Sequence, residues 1–486
     1  MSWRVLLIWA LFLVRGSFYC VLMPLWEGWD EYAHFAWLQH WLDKGTIPDF
    51  HDPVSREIDE SMRLTPLANE LKWIGPPYLI HPDWWALPAA ERAARRQSLA
   101  TLPTAFAHQP ALHTFEFYEA QQPPLYYWLL SEPLRFTGAW PLASRVLLIR
   151  LLSLLLASLT IPLTWLAARR IFGSGPALLC AALLATAPGF AIDVSRIAND
   201  SLAIALVSAL VLLLTGSRPG WLWPGLILGA CLLSKAYLLT FLPALVILLW
   251  RRKPDLIRIL ALALLVGGWW YVRNLFVGHT FSGWLLRPDR AAMLRSIVQI
   301  NWFSAAHVAA KSFLWFGAWS FLTLKSWMYG VLELIALIAL LSAARTRNTA
   351  LKTPAVLLAF FVAGIAYGVL ATFVTQNVPN MPGWYLWSLG GGIAMIVVAG
   401  LRRYSLLFIA ALAAVDLYGV IALLTPYYAG LAERNHAAAG QFPAALARLG
   451  IPPALPVAWV LATLGIVVVA AMTDYEGETK DAHRPG

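Results

Sequence analysis

Apolar runs of roughly 17 to 25 residues, the length a helix needs to cross a hydrocarbon core, recur from residue 5 to residue 471 and are broken by short polar connections. They predict about twelve membrane spans: 5–23, 142–168, 176–192, 201–215, 221–233, 237–250, 256–272, 328–344, 354–373, 385–401, 405–424 and 457–472. The fifth and sixth are short, and they flank a single lysine, Lys235. The pattern therefore predicts an all-α polytopic membrane protein. Three polar segments are long, 25–141, 273–327 and 425–456, and the tryptophans and prolines of the first suit helices lying along a headgroup surface. The run Phe313-Leu314-Trp315-Phe316, with Trp319 and Phe321, reads as a further interfacial helix.

Composition agrees, because 59% of the 486 residues are hydrophobic and only 13% charged, against about one-quarter charged in soluble domains. A net charge of +10 suggests nucleic acid only until its placement is considered. Arg169-Arg170, Arg251-Arg252-Lys253, Arg345 with Arg347, and Arg402-Arg403 each follow an apolar run, as cytoplasmic connections do. No nucleic-acid partner is expected. Placing all four clusters inside puts both termini and the tail 473–486 in the cytoplasm and the three long segments outside. The first run has no small-residue cleavage site and reads as a retained span. Cys20, Cys180 and Cys231 all lie in apolar runs, so no disulfide framework or zinc site is expected. No internal repeat appears, and residues 1–486 read as one membrane domain with elaborated outer loops.

Candidate chemistry gathers at the outer ends of the spans. Trp26-Glu27-Gly28-Trp29-Asp30-Glu31-Tyr32-Ala33-His34 follows the first span directly. If Asp30 opens a helix, His34 shares its face and Glu31 points to a neighbouring one. An N-capping aspartate beside a solvated glutamate explains the same pair without function. Glu119-Ala120-Gln121-Gln122-Pro123-Pro124-Leu125 precedes the second span, and its double proline seeds a helix. Asp193, Arg196, Asn199 and Asp200 crowd the junction of the third and fourth spans, where snorkelling is the bland alternative. Lys235 and Arg273, the latter in Trp270-Tyr271-Val272-Arg273-Asn274, fall on the outer side. A lysine between two short spans is costly unless it meets an anion or a cavity.

In that order, Asp30-Glu31, Gln122-Pro123-Pro124-Leu125, Asn199-Asp200, Ser234-Lys235 and Trp270-Tyr271-Val272-Arg273-Asn274, the chain resembles the GT-C superfamily of integral-membrane glycosyltransferases. The likeness is to the branch holding protein O-mannosyltransferases and aminoarabinose transferases, and it covers about the first 275 residues. It implies a polyprenyl-phosphate sugar donor, a fold of about a dozen spans with interfacial helices in the outer loops, and an acidic residue of the first loop that activates or orients the acceptor. By resemblance that catalytic role falls to Asp30, supported by Glu31. Substrate-binding positions are then His34, Gln122, Arg196, Asn199, Asp200, Lys235, Arg273 and Asn274. One departure is Gln122, where the aminoarabinose-transferase type has lysine.

Displacing a lipid phosphate from an anomeric carbon needs a base behind the attacking hydroxyl and cations where the leaving phosphate gains charge. Asp30 supplies the first; Lys235 and Arg273 supply the second without a metal. One-step displacement inverts the anomeric centre. Asp30 with His34 offers half of a metal site, no full ligand set is visible, and no cofactor is expected. The expected partners are the lipid-linked donor, a glycan, lipid or protein acceptor, and membrane lipid, with the protein in a plasma membrane of bacterial inner-membrane type. Buried charges such as Arg15, Arg145, Arg150, Glu333 and Asp416 are expected to pair among themselves, and Arg150 can also line a donor groove. The competing class is a transporter or flippase of a lipid-linked sugar; the short spans beside Lys235 favour it, and the lack of paired halves opposes it.

Overall fold

The structure is a computed structural model that describes residues 2–113, 117–216, 220–277, 280–283, 287–346 and 348–473. Arg347 and all of the expected cytoplasmic tail except Thr473 lie outside the described residues. The described residues are mainly helical, and the two isolated β-bridges among them, Ser55 with Pro110 and Leu67 with Ile80, both sit in the first long loop. Among the described residues, seven helical segments are long and apolar enough to cross a membrane, or eight with the bent pair Ser174–Thr186 and Pro188–Val194. The protein is therefore multi-pass.

That number is smaller than the expected twelve for a physical reason. Asp200–Leu214 and Leu222–Leu232 are apolar but short, with 15 and 11 residues, against about 20 for a full crossing. Other segments contain turns, as in Gly383–Tyr428, which is too long for one crossing. It is interrupted at Arg402, whose φ is 51°, by the short turn Arg402–Tyr404 between Gly390–Leu401 and Ser405–Tyr418. The basic clusters fall at helix ends: Arg169-Arg170 closes Thr160–Phe172, Arg251-Arg252 forms a tight turn, and Arg345 ends Ser326–Arg345.

Buried charges hold the bundle by pairing. Ala187 and Pro188 bend the third crossing by 62°, which leaves the last carbonyls of Ser174–Thr186 without helical partners. Arg15 fills the gap. It donates to the carbonyls of Ala185 and Thr186 at 2.9 and 3.2 Å and pairs with Asp416 at 2.8 Å. Glu333 pairs with His307 at 2.9 Å instead of with another buried span charge.

The first long loop is a folded cap, not a set of helices scattered over a headgroup surface. Trp26, Trp29, Trp37 and Trp84 are core residues, while Trp73 is 72% exposed. Trp37 stacks on Tyr127 at 4.3 Å, and Trp29 meets Phe316 and Trp384. The rings are buried because the loop helices press against the bundle, where aromatic packing outweighs interfacial exposure. Arg145 clamps the loop by its ion pair with Glu57. The expected interfacial helix at 313–321 is also different: Trp302–Leu314 ends there, and Trp315–Phe321 is an irregular, largely buried segment with left-handed backbone at Gly317, Ala318 and Phe321.

Candidate active site

The site begins where the first span ends. Gly28 lies so close to the third crossing that a Cβ there would stand 2.7 Å from Arg196 Cβ. Asp30 precedes the helix Glu31–Lys44 with φ of 59° and makes no side-chain cap. A left-handed non-glycine residue costs energy and marks positions held for another purpose. The bland N-cap explanation thus fails for Asp30. Its carboxylate instead accepts a hydrogen bond from the Tyr118 hydroxyl at 2.7 Å and faces a cavity of about 540 Å³.

Glu31, one residue on, is turned away. Arg150 donates to both of its oxygens, from Nε at 2.7 Å, and the amide of Ile197 adds a third bond at 3.1 Å. The same guanidinium reaches the carbonyls of Cys20, Met23 and Pro24, so Arg150 and Glu31 together fasten the end of the first span to its neighbours. Neither lines the cavity. His34, on the face of Asp30, lies behind it, with Nδ1 2.7 Å from the Tyr127 hydroxyl and 3.9 Å from Glu119 Oε2.

Glu119 was not singled out as a site residue in the sequence, yet it shares the cavity wall with Asp30. Its Oε2 is buried without a hydrogen-bond partner among the described residues. Burial first, and then the neighbouring Asp30, push its carboxyl up to about 8, against the pull of Lys235. Asp30 is also raised by burial, while Tyr118, Arg196 and Lys235 draw it back down. His34 is lowered well below its usual value by burial and then by Lys235 and Arg196, so the imidazole is neutral. The sequence signal for Glu119 was present only as an acid three residues before Gln122; nothing in the spacing set it apart from any loop glutamate.

The junction between Pro188–Val194 and Asp200–Leu214 supplies a charged layer behind the cavity wall, and Asp193, Arg196, Asn199 and Asp200 are not among the lining residues. Arg196 pairs with Asp193 at 3.1 Å and Asp200 at 3.2 Å, and its guanidinium lies 3.8 Å from the Trp29 ring centre. Asp200 accepts from Lys235 at 3.0 Å and from the Tyr237 hydroxyl at 2.8 Å. Lys235 also donates to Asn199 Oδ1, whose amide nitrogen in turn donates to Gln122 Oε1 at 3.0 Å and to the Ser234 carbonyl at 2.8 Å. Gln122 therefore ties two elements together and faces the cavity. Lys235 sits in an extended break between Leu222–Leu232 and the turn Ala236–Thr240, which is why its ammonium can reach the cavity.

Arg273 and Asn274 are placed differently. Arg273, in the last turn of Trp269–Phe276, lies 4.9 Å from the Trp270 ring centre and is not one of the cavity-lining residues. Asn274 is buried and donates to the Phe281 carbonyl at 3.3 Å, holding the short segment whose Ser282 reaches the cavity. Beyond the polar end the cavity wall becomes apolar, with Leu239, Phe361, Ile365 and Met381 joined by the phenol rings of Tyr237 and Tyr385. Among the described residues no group of three or more His, Cys, Asp or Glu could hold a metal ion.

Residues 121–270 match the family described as dolichyl-phosphate-mannose-protein mannosyltransferase. Over that stretch, just under a third of its length, the chain is similar to this family. The matched stretch contains Gln122, Arg196, Asn199, Asp200 and Lys235, while Asp30, Glu31 and His34 precede it and Arg273 and Asn274 follow. A comparison with curated proteins gives no match. Among solved structures the chain is similar to ArnT from Cupriavidus metallidurans bound to undecaprenyl phosphate, at 17% identity and a TM-score of 0.49, covering 98% of this chain and 76% of that one. It is also similar to the oligosaccharyltransferase of Archaeoglobus fulgidus in complex with zinc and sulfate, at 12% identity and a TM-score of 0.40, covering 88% of this chain and 53% of that one.

Proposed function

We propose that the protein transfers a sugar from a polyprenyl-phosphate carrier to an acceptor hydroxyl at the extracytoplasmic face of its membrane. The observation that carries this reading is one cavity that holds a carboxylate and an ammonium, Asp30 and Lys235, at its polar end and a sleeve of apolar side chains beyond. A greasy carrier with a phosphate head has that division of chemistry. The chain is read as twelve crossings, with Asp200–Leu214 and Leu222–Leu232 among them and the basic clusters in the cytoplasm.

In the reaction the acceptor oxygen forms a bond to the anomeric carbon as the bond from that carbon to the phosphate oxygen breaks, and the configuration inverts. Asp30 takes the hydroxyl proton, a contribution typically about 10² to 10⁴ in rate. The electron pair leaves on the phosphate, beside Lys235, with Arg196 behind it. Asn199 and Asp200 aim the ammonium, and Gln122 fixes Asn199. Glu119 carries a proton at neutral pH, so the pocket meets an anionic donor with one carboxylate instead of two. Two cations suffice for the leaving group, so turnover is expected to survive chelation. Arg150 is held by Glu31 and is left out of the donor groove.

Purified protein given a polyprenyl-phosphate sugar and acceptor is expected to release polyprenyl phosphate. Asp30→Asn is expected to abolish turnover with donor binding retained, and undiminished turnover would remove Asp30 from the chemistry. The break at Lys235 keeps a second reading alive, a transporter of the same lipid. Movement of labelled donor across a reconstituted bilayer without bond cleavage would favour it.

A further inference from the structure

A second cationic feature lies on the outer loops, among residues that the reaction does not use. Trp85, beside the first-loop helix Ala89–Ala100, is surrounded by three guanidinium groups. Arg448 stands 4.0 Å, Arg92 5.0 Å and Arg96 5.6 Å from its ring centre. Two come from Ala89–Ala100 and the third from Phe442–Leu449, in the third long loop. The ring is a fixed platform. Its Nε1 donates to the Tyr428 carbonyl at 2.9 Å, and Gly430, with φ of +64°, lies so close that a Cβ there would stand 2.2 Å from the ring.

One guanidinium on an aromatic face is ordinary. Three from two separate elements repel one another, and a ring quadrupole does not neutralise them. Among the described residues no carboxylate pairs with Arg92, Arg96 or Arg448: the nearest acid on the same helix, Glu91, is taken by Arg95 at 2.8 Å. Arg92 donates to the Trp85 and Leu87 carbonyls, which aligns it without cancelling its charge. The guanidinium of Arg448 is held below its ordinary basicity by burial and then by Arg92 and Arg96. Converging cations of this kind stay together when an anion joins them, and planar guanidinium forks fit phosphate oxygens. Position narrows the anion. Phe442–Leu449 ends four residues before the apolar helix Ala454–Ala471 begins, so Arg448 stands within six residues of a segment long enough to cross the membrane.

We propose that Arg92, Arg96 and Arg448, gathered on Trp85, form a seat for the phosphate of an anionic lipid headgroup, separate from the cavity of Asp30 and Lys235. The test is native mass spectrometry of the full chain in detergent with phosphatidylglycerol, phosphatidylcholine or inorganic phosphate. The wild type is expected to retain phosphatidylglycerol at least roughly tenfold more than R92Q/R96Q/R448Q does, the loss expected for a charge-assisted contact, and to show no such difference for phosphatidylcholine. Because Arg92 also bonds backbone carbonyls, R96Q/R448Q is measured beside the triple variant and is expected to show most of the loss. Without lipid, the unfolding temperature of the double variant is expected to hold or rise as repulsion is relieved. Equal retention of phosphatidylglycerol by all three proteins would overturn the proposal, as would a fall in the lipid-free unfolding temperature. Inorganic phosphate that competes as well as the lipid would reduce the seat to a general anion site and overturn the headgroup assignment.

Discussion

Two carboxyl groups in one pocket are told apart by their surroundings. Burial raises Asp30, but Tyr118, Arg196 and Lys235 draw it back down, whereas Glu119 has an oxygen with no partner and the charge of Asp30 beside it. Glu119 therefore keeps its proton up to about 8. Above that pH a second negative charge enters the pocket and opposes an anionic donor, so kcat/KM is expected to fall on the alkaline side with an apparent pKa near 8. Glu119→Gln is expected to remove that limb while leaving turnover at neutral pH, and a pH profile of the variant matching the wild type would discard the role. The stability linkage has a definite sign. Because the folded-state pKa of Glu119 is raised, its contribution is full below the unfolded carboxyl's pKa and is lost as pH rises through about 8. At this scale the sequence assigned the base's role to Asp30 by resemblance and put Glu31 on a neighbouring face in its support, but it did not show what holds Glu31. Adjacent acids look alike until a neighbour chooses between them, and Arg150, far along the chain, chooses Glu31.

At the scale of elements, the crossings are joined by buried ion pairs that no local pattern specifies. Glu31 is fully buried, and Arg150 holds it together with three carbonyls at the end of the first span. Removing one partner of a buried pair leaves the other uncompensated, at a cost of about 3–5 kcal/mol. Glu31→Gln is therefore expected to lower the unfolding temperature sharply and to depress yield, whereas Asp30→Asn is expected to remove turnover with little change in unfolding. Thermal unfolding in detergent distinguishes the two, and equal stability of both variants would contradict the division of roles. Close approach of backbones is a second element-level constraint. A Cβ on Gly383 would lie 1.8 Å from the Ala309 carbonyl oxygen, where Trp302–Leu314 packs against Gly383–Leu389. Gly383→Ala is expected to be destabilising through that contact, read as a lower unfolding temperature. The helical periods and the basic turn clusters were legible because they are local. The cap formed by the first loop was not, since an aromatic-rich loop can lie on a membrane or fold against a bundle with the same composition.

At the scale of the whole molecule, sidedness joins fold to function. Cys20, Cys180 and Cys231 are all buried, so a single introduced cysteine can be labelled against a quiet background. A membrane-impermeant maleimide added outside intact cells is expected to label Leu112→Cys and Trp73→Cys, both exposed in the first loop. It is expected to reach Arg251→Cys only after permeabilisation. Labelling of Arg251→Cys from outside, with Leu112→Cys and Trp73→Cys reached only after permeabilisation, would invert the topology and move the cavity to the other face.

By itself the sequence determined that lipid is the main solvent, that the chain crosses the membrane several times, and that basic clusters fall at the ends of apolar runs, because hydropathy, chain length and basic clustering act within a few turns of helix. It also held, in order, the motifs that made a lipid-linked glycosyltransferase the expected relative. Only the tertiary structure decided that Asp30 faces the cavity while Glu31 binds Arg150, that Glu119 joins the wall, and that Arg273 lies on Trp270 away from it. Those choices depend on which side chains from distant segments meet in a low-dielectric interior, where each buried charge must find a partner, and pairing of that kind has no signature in local spacing.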